Sequence, residues 1–438
     1  MYLYGINLHK IVYLFTFSIY SIIIKRHFMF SQKTTKMQNN TKVISRNIHS
    51  KAMWFLMVIL FLLCFDNSMA KDIGKKYSAR FGKHANKNGI YPDNVVRIFL
   101  DKEGNYYPEN PINDHSLRRN NNSLRNWYSS HKNEFNEICS GQGIGTGTFN
   151  EQLDSLNHRI ARNITSEINN KSKGYDIVNV SIHGFSKKTY GMRLIDRHST
   201  GDNKKLETTL QNNPNKKLFF VEIYWDASYL GVFRSALANK GYKVFRDSAQ
   251  PHAMNVGLSL RKVISNIKCD RINIITHSLG ARVACELLFN ADSNNTAQEN
   301  EATPMQSHIK ICMVAPAIGS ELFKNYYKRG KITKTPNVGK DNYDLSIVYN
   351  TNDIVLNKSI PLPIYHLGNL TAYDIAKTAL GCDCGNDIDS LETLLAPLHI
   401  RTFNLSCKHG KARNGHYLNH CYISNRIPFR DVKAYLND

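Results

Sequence analysis

The chain has 438 residues, with 57 Lys and Arg against 35 Asp and Glu for a net charge of +22, a basic balance that favours anionic surfaces such as phospholipid headgroups or acidic glycans. Eight basic residues and one acidic in residues 1–70 account for +7, leaving +15 for residues 71–438. The lysines are scattered among asparagines, with no aromatic-interleaved basic stripe and no motif of a DNA- or RNA-binding module, which sets nucleic acid aside as a partner.

In chain order, the first 70 residues read as a leader. The apolar stretch Met53 to Phe65 follows Lys51 and precedes Ser68-Met69-Ala70, which has the small-x-small form of a signal-peptidase site. A secretory signal over Met53–Ala70 is predicted, and with it export to the periplasm, the envelope or the medium. An upstream apolar stretch, Ile11 to Ile24, is followed by Lys25-Arg26 and is short for a membrane span, which needs roughly 20 apolar residues. It reads as an over-long start ahead of Met53 or as an N-terminal anchor.

Residues 71–148 form a polar, Asn-rich extension interrupted by one predicted strand, Val95 to Leu100, and a Lys102-Glu103-Gly104-Asn105 turn before Tyr106-Tyr107. The glycine-rich Gly141 to Gly147 has no strand before it and lacks both the GxGxxG and the GKS/T spacing, so it reads as a loop and not a phosphate cradle.

The domain proper is expected over 149–438. Phe149, Leu153, Leu156, Ile160, Ile164 and Ile168 recur at three and four residues, the period of an amphipathic helix. Apolar strands follow at Ile177 to Ile182, ending in His183-Gly184-Phe185, and at Leu218 to Tyr224, ending in Trp225-Asp226. A helix marked by Val256, Leu260, Val263, Ile264 and Ile267 feeds a strand at Ile272 to Ile275. Strands at Ile309 to Val314, Leu345 to Tyr349 and Ile400 to Leu405 complete the pattern. Alternating strand and helix units predict an α/β fold with a mostly parallel central sheet and helices on both faces. Functional groups then belong at the carboxyl ends of the strands.

Nine cysteines are present, eight of them beyond the leader. An exported chain with this count is expected to carry disulfides whose pairing is not readable from sequence. Cys407 and Cys421 bracket His416 and are the pair to test for a staple. Cys285 and Cys312 fall on a helix and an apolar strand, where a buried small hydrophobe is expected. Cys382-Asp383-Cys384, with Cys407 and His409, offers no CxxC pair and no HExxH, so neither a metal site nor a cofactor is expected.

Chemistry concentrates at Ser278. The strand Ile272-Asn273-Ile274-Ile275 runs through Thr276-His277 to Ser278-Leu279-Gly280-Ala281, an apolar strand that stops at a serine and turns at once into a small-residue helix start. A nucleophile elbow has this form, because the strained turn that lifts the hydroxyl clear of the sheet requires small neighbours. Thr276 takes the place of the first glycine of Gly-x-Ser-x-Gly. A serine needs a base, and the base needs an acid to fix its tautomer. Asp353, closing Asn350-Thr351-Asn352-Asp353 after the second strand beyond the elbow, is the expected acid, with Asp226 and Glu321 as weaker alternatives. His416, in Asn414-Gly415-His416-Tyr417, is the expected base, with His409 and His420 as substitutes. The oxyanion donors are expected at Leu279 N–H and Phe185 N–H. Ser186 is set aside as nucleophile because Lys187-Lys188 stand where an elbow needs small residues.

These residues resemble the α/β-hydrolase superfamily and, within it, a bacterial group of hydrolases of unknown function. The resemblance covers about residues 175 to 435, through His183-Gly184-Phe185, Ile223-Tyr224-Trp225-Asp226, Thr276 to Val283, Met313-Val314-Ala315-Pro316, Val348 to Asp353 and Gly415-His416-Tyr417-Leu418-Asn419. It implies a Ser278, Asp353, His416 triad and esterase-like activity without a cofactor. Two positions depart from the pattern, Thr276 and the Ala317 that follows Ala-Pro where relatives often carry an acid. An exported serine hydrolase acting on a carboxylic ester is therefore expected. A lipid or acylated substrate is favoured by the apolar segment 360–380, although an amide would use the same triad. The competing class is a catalytically silent hydrolase fold that binds at the envelope.

Overall fold

The computed structural model describes residues 93–108, 123–185, 206–207, 210–211, 215–227, 248–289, 291, 307–324, 343–351, 353, 356, 379–383, 386–396, 398, 400–406 and 430–438. The leader, Cys407, Cys421 and nearly all of 360–380 lie outside them. Seven strands form one sheet: β1 (Val95–Leu100), β2 (Ile177–Ile182), β3 (Leu218–Trp225), β4 (Arg271–His277), β5 (His308–Val314), β6 (Tyr343–Tyr349) and β7 (Arg401–Asn404). Their spatial order is β1-β3-β2-β4-β5-β6-β7, and every neighbouring pair is parallel. The helices are α1 (Leu124–Ser130), α2 (Lys132–Gly141), α3 (Phe149–Lys171), α4 (Gln250–Ile264), α5 (Gly280–Phe289), α6 (Asp387–Leu395) and α7 (Arg430–Asn437). Among the described residues no helix is long and apolar enough to cross a membrane.

The sheet forms because β2 and β3 are apolar enough to be buried along their whole length, which is how a strand covered on both faces reads. The strand expected in the polar extension, β1, is an edge of this sheet beside β3. Asp101 at its carboxyl end is fully buried. Its carboxylate accepts from Glu103 N at 2.9 Å, Asn105 N at 2.8 Å and Leu124 N at 2.7 Å, pinning the following turn and the start of α1. Burial pushes this carboxyl up to about 7 against the pull of those donors. The helix expected from Phe149 begins on a capping box. Thr148 Oγ1 accepts from Glu151 N while the Glu151 carboxylate accepts from Thr148 N at 2.8 Å.

One row of the sheet is polar. Asn179, Asn273, Lys310 and Asp344 stand side by side on β2, β4, β5 and β6. Part of this row serves α7, whose last carbonyls have no partner within the helix. Asn273 Nδ2 donates to Leu436 O at 2.9 Å, Arg271 Nη2 to the same oxygen at 2.5 Å, and Lys310 Nζ to Tyr435 O at 3.0 Å. Cations at a helix carboxyl end also meet the favourable end of its dipole.

Candidate active site

Ser278 immediately follows β4 and has φ of 54°, a conformation that costs a non-glycine residue about 1–3 kcal/mol and persists only where its surroundings enforce it. The surroundings are backbone. Ser278 N donates to Val314 O at 3.0 Å, and Ser278 O accepts from Ala317 N at 3.1 Å and Ala281 N at 3.2 Å. The turn after β5 therefore grips the serine on one side and the first turn of α5 grips it on the other. Gly280 explains the need for small residues. A Cβ there would lie 2.5 Å from Ile182 O and 2.8 Å from His183 O, so α5 begins in direct contact with the end of β2. Thr276, in the first glycine's place, is buried, and its Oγ1 has no hydrogen-bond partner among the described residues.

The loop after β2 lies against the nucleophile. A Cβ on Gly184 would fall 2.7 Å from Ser278 Cβ and 3.3 Å from its Oγ. Pairing of β2 beside β4 makes this contact, with Ile182 in register with Thr276. The peptide joining Gly184 to the half-buried Phe185 is thus beside the serine hydroxyl. Leu279, the other expected donor, precedes the first residue of α5, where a helix leaves its N–H groups without intrahelical acceptors. The structure accordingly brings together Ser278, Leu279 and the Gly184–Phe185 loop.

Asp353 sits past the end of β6, on the same sheet edge and two strands along from β4. It is fully buried. Asp353 N donates to Asn350 O at 3.0 Å and Asp353 Oδ1 accepts from Leu356 N at 3.1 Å, so the local turn and the carboxylate's orientation are one arrangement. The segment 379–383, read from sequence only as the end of an apolar stretch and the start of the Cys382-Asp383-Cys384 run, braces this region. Gly381 N donates to Pro316 O at 3.0 Å, Asn350 N donates to Gly381 O at 3.0 Å, and a Cβ on Gly381 would lie 2.5 Å from Ala315 C. It ties the turn that grips Ser278 to the turn that carries Asp353. His416, His409, His420 and Ser186 lie outside the described residues.

The alternative acids are placed differently. Glu321, in the 3-10 turn Ser320–Phe323, folds back over Gly319, and burial raises its carboxyl above the ordinary range. The Asp226 carboxylate accepts Tyr107 OH at 3.1 Å, and its carbonyl accepts His252 Nδ1 at 3.1 Å. Among the described residues no group of three His, Cys, Asp or Glu could hold a metal ion. Cys285, Cys312 and Cys382 are buried free thiols.

His252 carries a pH signature. Burial lowers its imidazole to about 4 from 6.5, so between those values the unfolded chain takes up a proton that the folded chain refuses. Its contribution is whole above 6.5 and is lost as pH falls to about 4, at roughly 1.4 kcal/mol per pH unit for one proton. Asp101, raised from 3.8 to about 7, slopes the other way, losing stability as pH rises through that window. The wild type is therefore expected to gain on His252→Gln by about 1.4 kcal/mol per unit between pH 4 and 6.5. Urea midpoints at three pH values check this, and parallel curves would refute it.

A family model described as alpha/beta hydrolase of unknown function (DUF900) matches residues 161–378, about half of the chain. The match spans β2 to β6, the elbow and Asp353. With the all-parallel sheet, the fold is an α/β-hydrolase fold. No curated protein matches the chain.

Proposed function

We propose that this chain, which belongs to the α/β-hydrolase superfamily, is a serine hydrolase that cleaves a carboxylic ester through Ser278, His416 and Asp353. The observation that carries the reading is the strained Ser278 between β4 and α5 with the Gly184 backbone against its hydroxyl. A serine held this way at the carboxyl edge of a parallel sheet has an arrangement suited to attack on an acyl carbon.

In this mechanism Ser278 Oγ attacks the ester carbonyl while His416 takes its proton, and Asp353 holds the imidazole in the working tautomer and stabilises the imidazolium. The carbonyl oxygen gains negative charge and is met by Leu279 N–H and Phe185 N–H. Collapse expels the alcohol, which leaves with the proton from His416. Water activated by the same histidine then frees the acid from the acyl-enzyme. No cofactor takes part. The favoured substrate is a lipid or other acylated envelope component, reached after export, and the basic balance assists adsorption to anionic membranes.

A panel of p-nitrophenyl esters of increasing acyl length, set beside the matching anilides, tests the reading on the full chain. Ester turnover favouring the longer acyl chains is expected, and turnover of anilides alone would overturn the ester assignment. Binding to phosphatidylglycerol vesicles is expected to weaken as salt rises, and binding unchanged across the series would remove the membrane component. Amino-terminal sequencing of exported protein is expected to begin at Lys71. Gly184→Ala, which would drive a methyl into Ser278, is expected to lower ester kcat/KM by ~10²-fold or more with far-ultraviolet dichroism preserved.

A further inference from the structure

We infer that Trp225 is a positioning residue for the oxyanion site, acting through His183 on the peptide beside Ser278. The inference rests on the serine-hydrolase reading above and assigns a role to a β3 side chain that is fully buried.

The chain of contacts fixes protons as well as positions. The backbone N–H of Trp225 donates to His183 Nε2 at 3.1 Å, a bond that Trp225→Phe keeps, so that nitrogen holds a lone pair and the ring proton is on Nδ1. His183 Nδ1–H then donates to Gly184 O at 2.8 Å. The indole Nε1–H of the same tryptophan donates to His183 O at 2.9 Å. The two rings stack with centroids 5.6 Å apart and planes 9° from parallel. Both ring nitrogens and the carbonyl of His183 are thereby committed, two of the three to Trp225.

The consequence falls on the Gly184–Phe185 peptide. Its carbonyl is turned to the His183 ring, and in a trans peptide the Phe185 N–H lies in the same plane and points the opposite way. The Gly184 Cα is close enough to the nucleophile that a Cβ would stand 3.3 Å from Ser278 Oγ. An oxyanion donor works only within a few tenths of an ångström of its station. A tryptophan that holds the histidine therefore sets where charge on the acyl oxygen is met, even though it touches neither substrate nor serine.

A role in packing alone would give Trp225 the same burial, so the test needs a readout that loss of folded protein cannot move. An aryl acetate and its thiono analogue, with C=S in place of C=O, supply it, because sulfur accepts hydrogen bonds weakly and draws less help from the donors. The ratio of kcat/KM for ester over thionoester is independent of the folded fraction. Trp225→Phe keeps the stacked ring and deletes the indole N–H. It is expected to lower the ratio by about tenfold, a part of the ~10²-fold or greater loss that follows complete removal of one donor. His183→Gln places an acceptor near the Nε2 position and removes the donor to Gly184. It is expected to lower the ratio at least as far. A ratio unchanged in both variants, with ester and thionoester falling together, overturns the inference and leaves Trp225 a core residue. Ester hydrolysis by the wild type that persists undiminished in Ser278→Ala overturns the hydrolase reading, and this inference with it.

Discussion

Ser278→Ala is expected to abolish covalent labelling of the full chain by a fluorophosphonate while leaving its thermal transition within a few degrees of wild type. The reagent needs an oxygen nucleophile with a base beside it, and alanine removes the oxygen. The fold should tolerate the change, because the turn is held by backbone bonds to Val314, Ala317 and Ala281 that alanine retains. His416→Ala and Asp353→Asn are each expected to slow labelling by ~10³-fold or more. The three losses will not add, since a serine without its base is already an ordinary alcohol. Labelling at Ser186 in the folded wild type, or none with any ester or phosphonate, would sink the triad and put envelope binding by a silent hydrolase fold first.

What could be read from the residues follows from how local each signal is. The run Ile177-Val178-Asn179-Val180-Ser181-Ile182 is apolar enough to be read as a strand, and the observed β2 has the same limits. The expected Val95 to Leu100 likewise keeps its limits, and the remaining expected strands move by one or two residues, as with Tyr343–Tyr349 against the expected Leu345 to Tyr349. Ends shift because the parallel neighbour sets the last paired residue, which a one-strand pattern does not contain. The elbow was legible because strand, serine and small residues are consecutive. Short helices were not. In α7, Val432, Tyr435 and Leu436 are the buried apolar positions, yet eight residues make little more than two helical turns, and its docking depends on Lys310 and Arg271 far away in the chain. The same holds at the site. The sequence marks His183-Gly184-Phe185 as a loop after a strand, but the contact of Gly184 with Ser278 exists only because β2 pairs beside β4. The grip of Trp225 on His183 is likewise a product of β2 pairing with β3.

The second large effect is expected one turn beyond the nucleophile. Arg282 and Glu286 of α5 form an i,i+4 pair with Nη2 and Oε1 2.7 Å apart, and their side chains are 2% and 0% exposed. The contact is close without being aligned as a hydrogen bond, and Arg282 Nε and Nη1 have no hydrogen-bond partner among the described residues. A pair buried this deeply has surrendered its hydration, so attraction and desolvation nearly offset each other, whereas removing one member takes the nearest opposite charge from the other. A Cβ on Gly257 of α4 would lie 2.6 Å from Glu286 Cβ, so the neighbouring helix presses on the base of its side chain. Arg282→Met is therefore expected to cost about 3–5 kcal/mol, while Arg282→Met with Glu286→Leu should return to within about 1 kcal/mol of wild type or exceed it. Guanidinium midpoints of the three proteins measure this. A single variant as stable as wild type would show that Glu286 is held by other partners, and a double variant no better than the single would show that the pair itself stabilises α5. If the double variant is stable, fluorophosphonate labelling of Ser278 separates the remaining roles. Unchanged labelling makes the pair a matter of helix packing, whereas slowed labelling at full stability means that the charges hold the first turn of α5, and with it Leu279 N–H, in its working position.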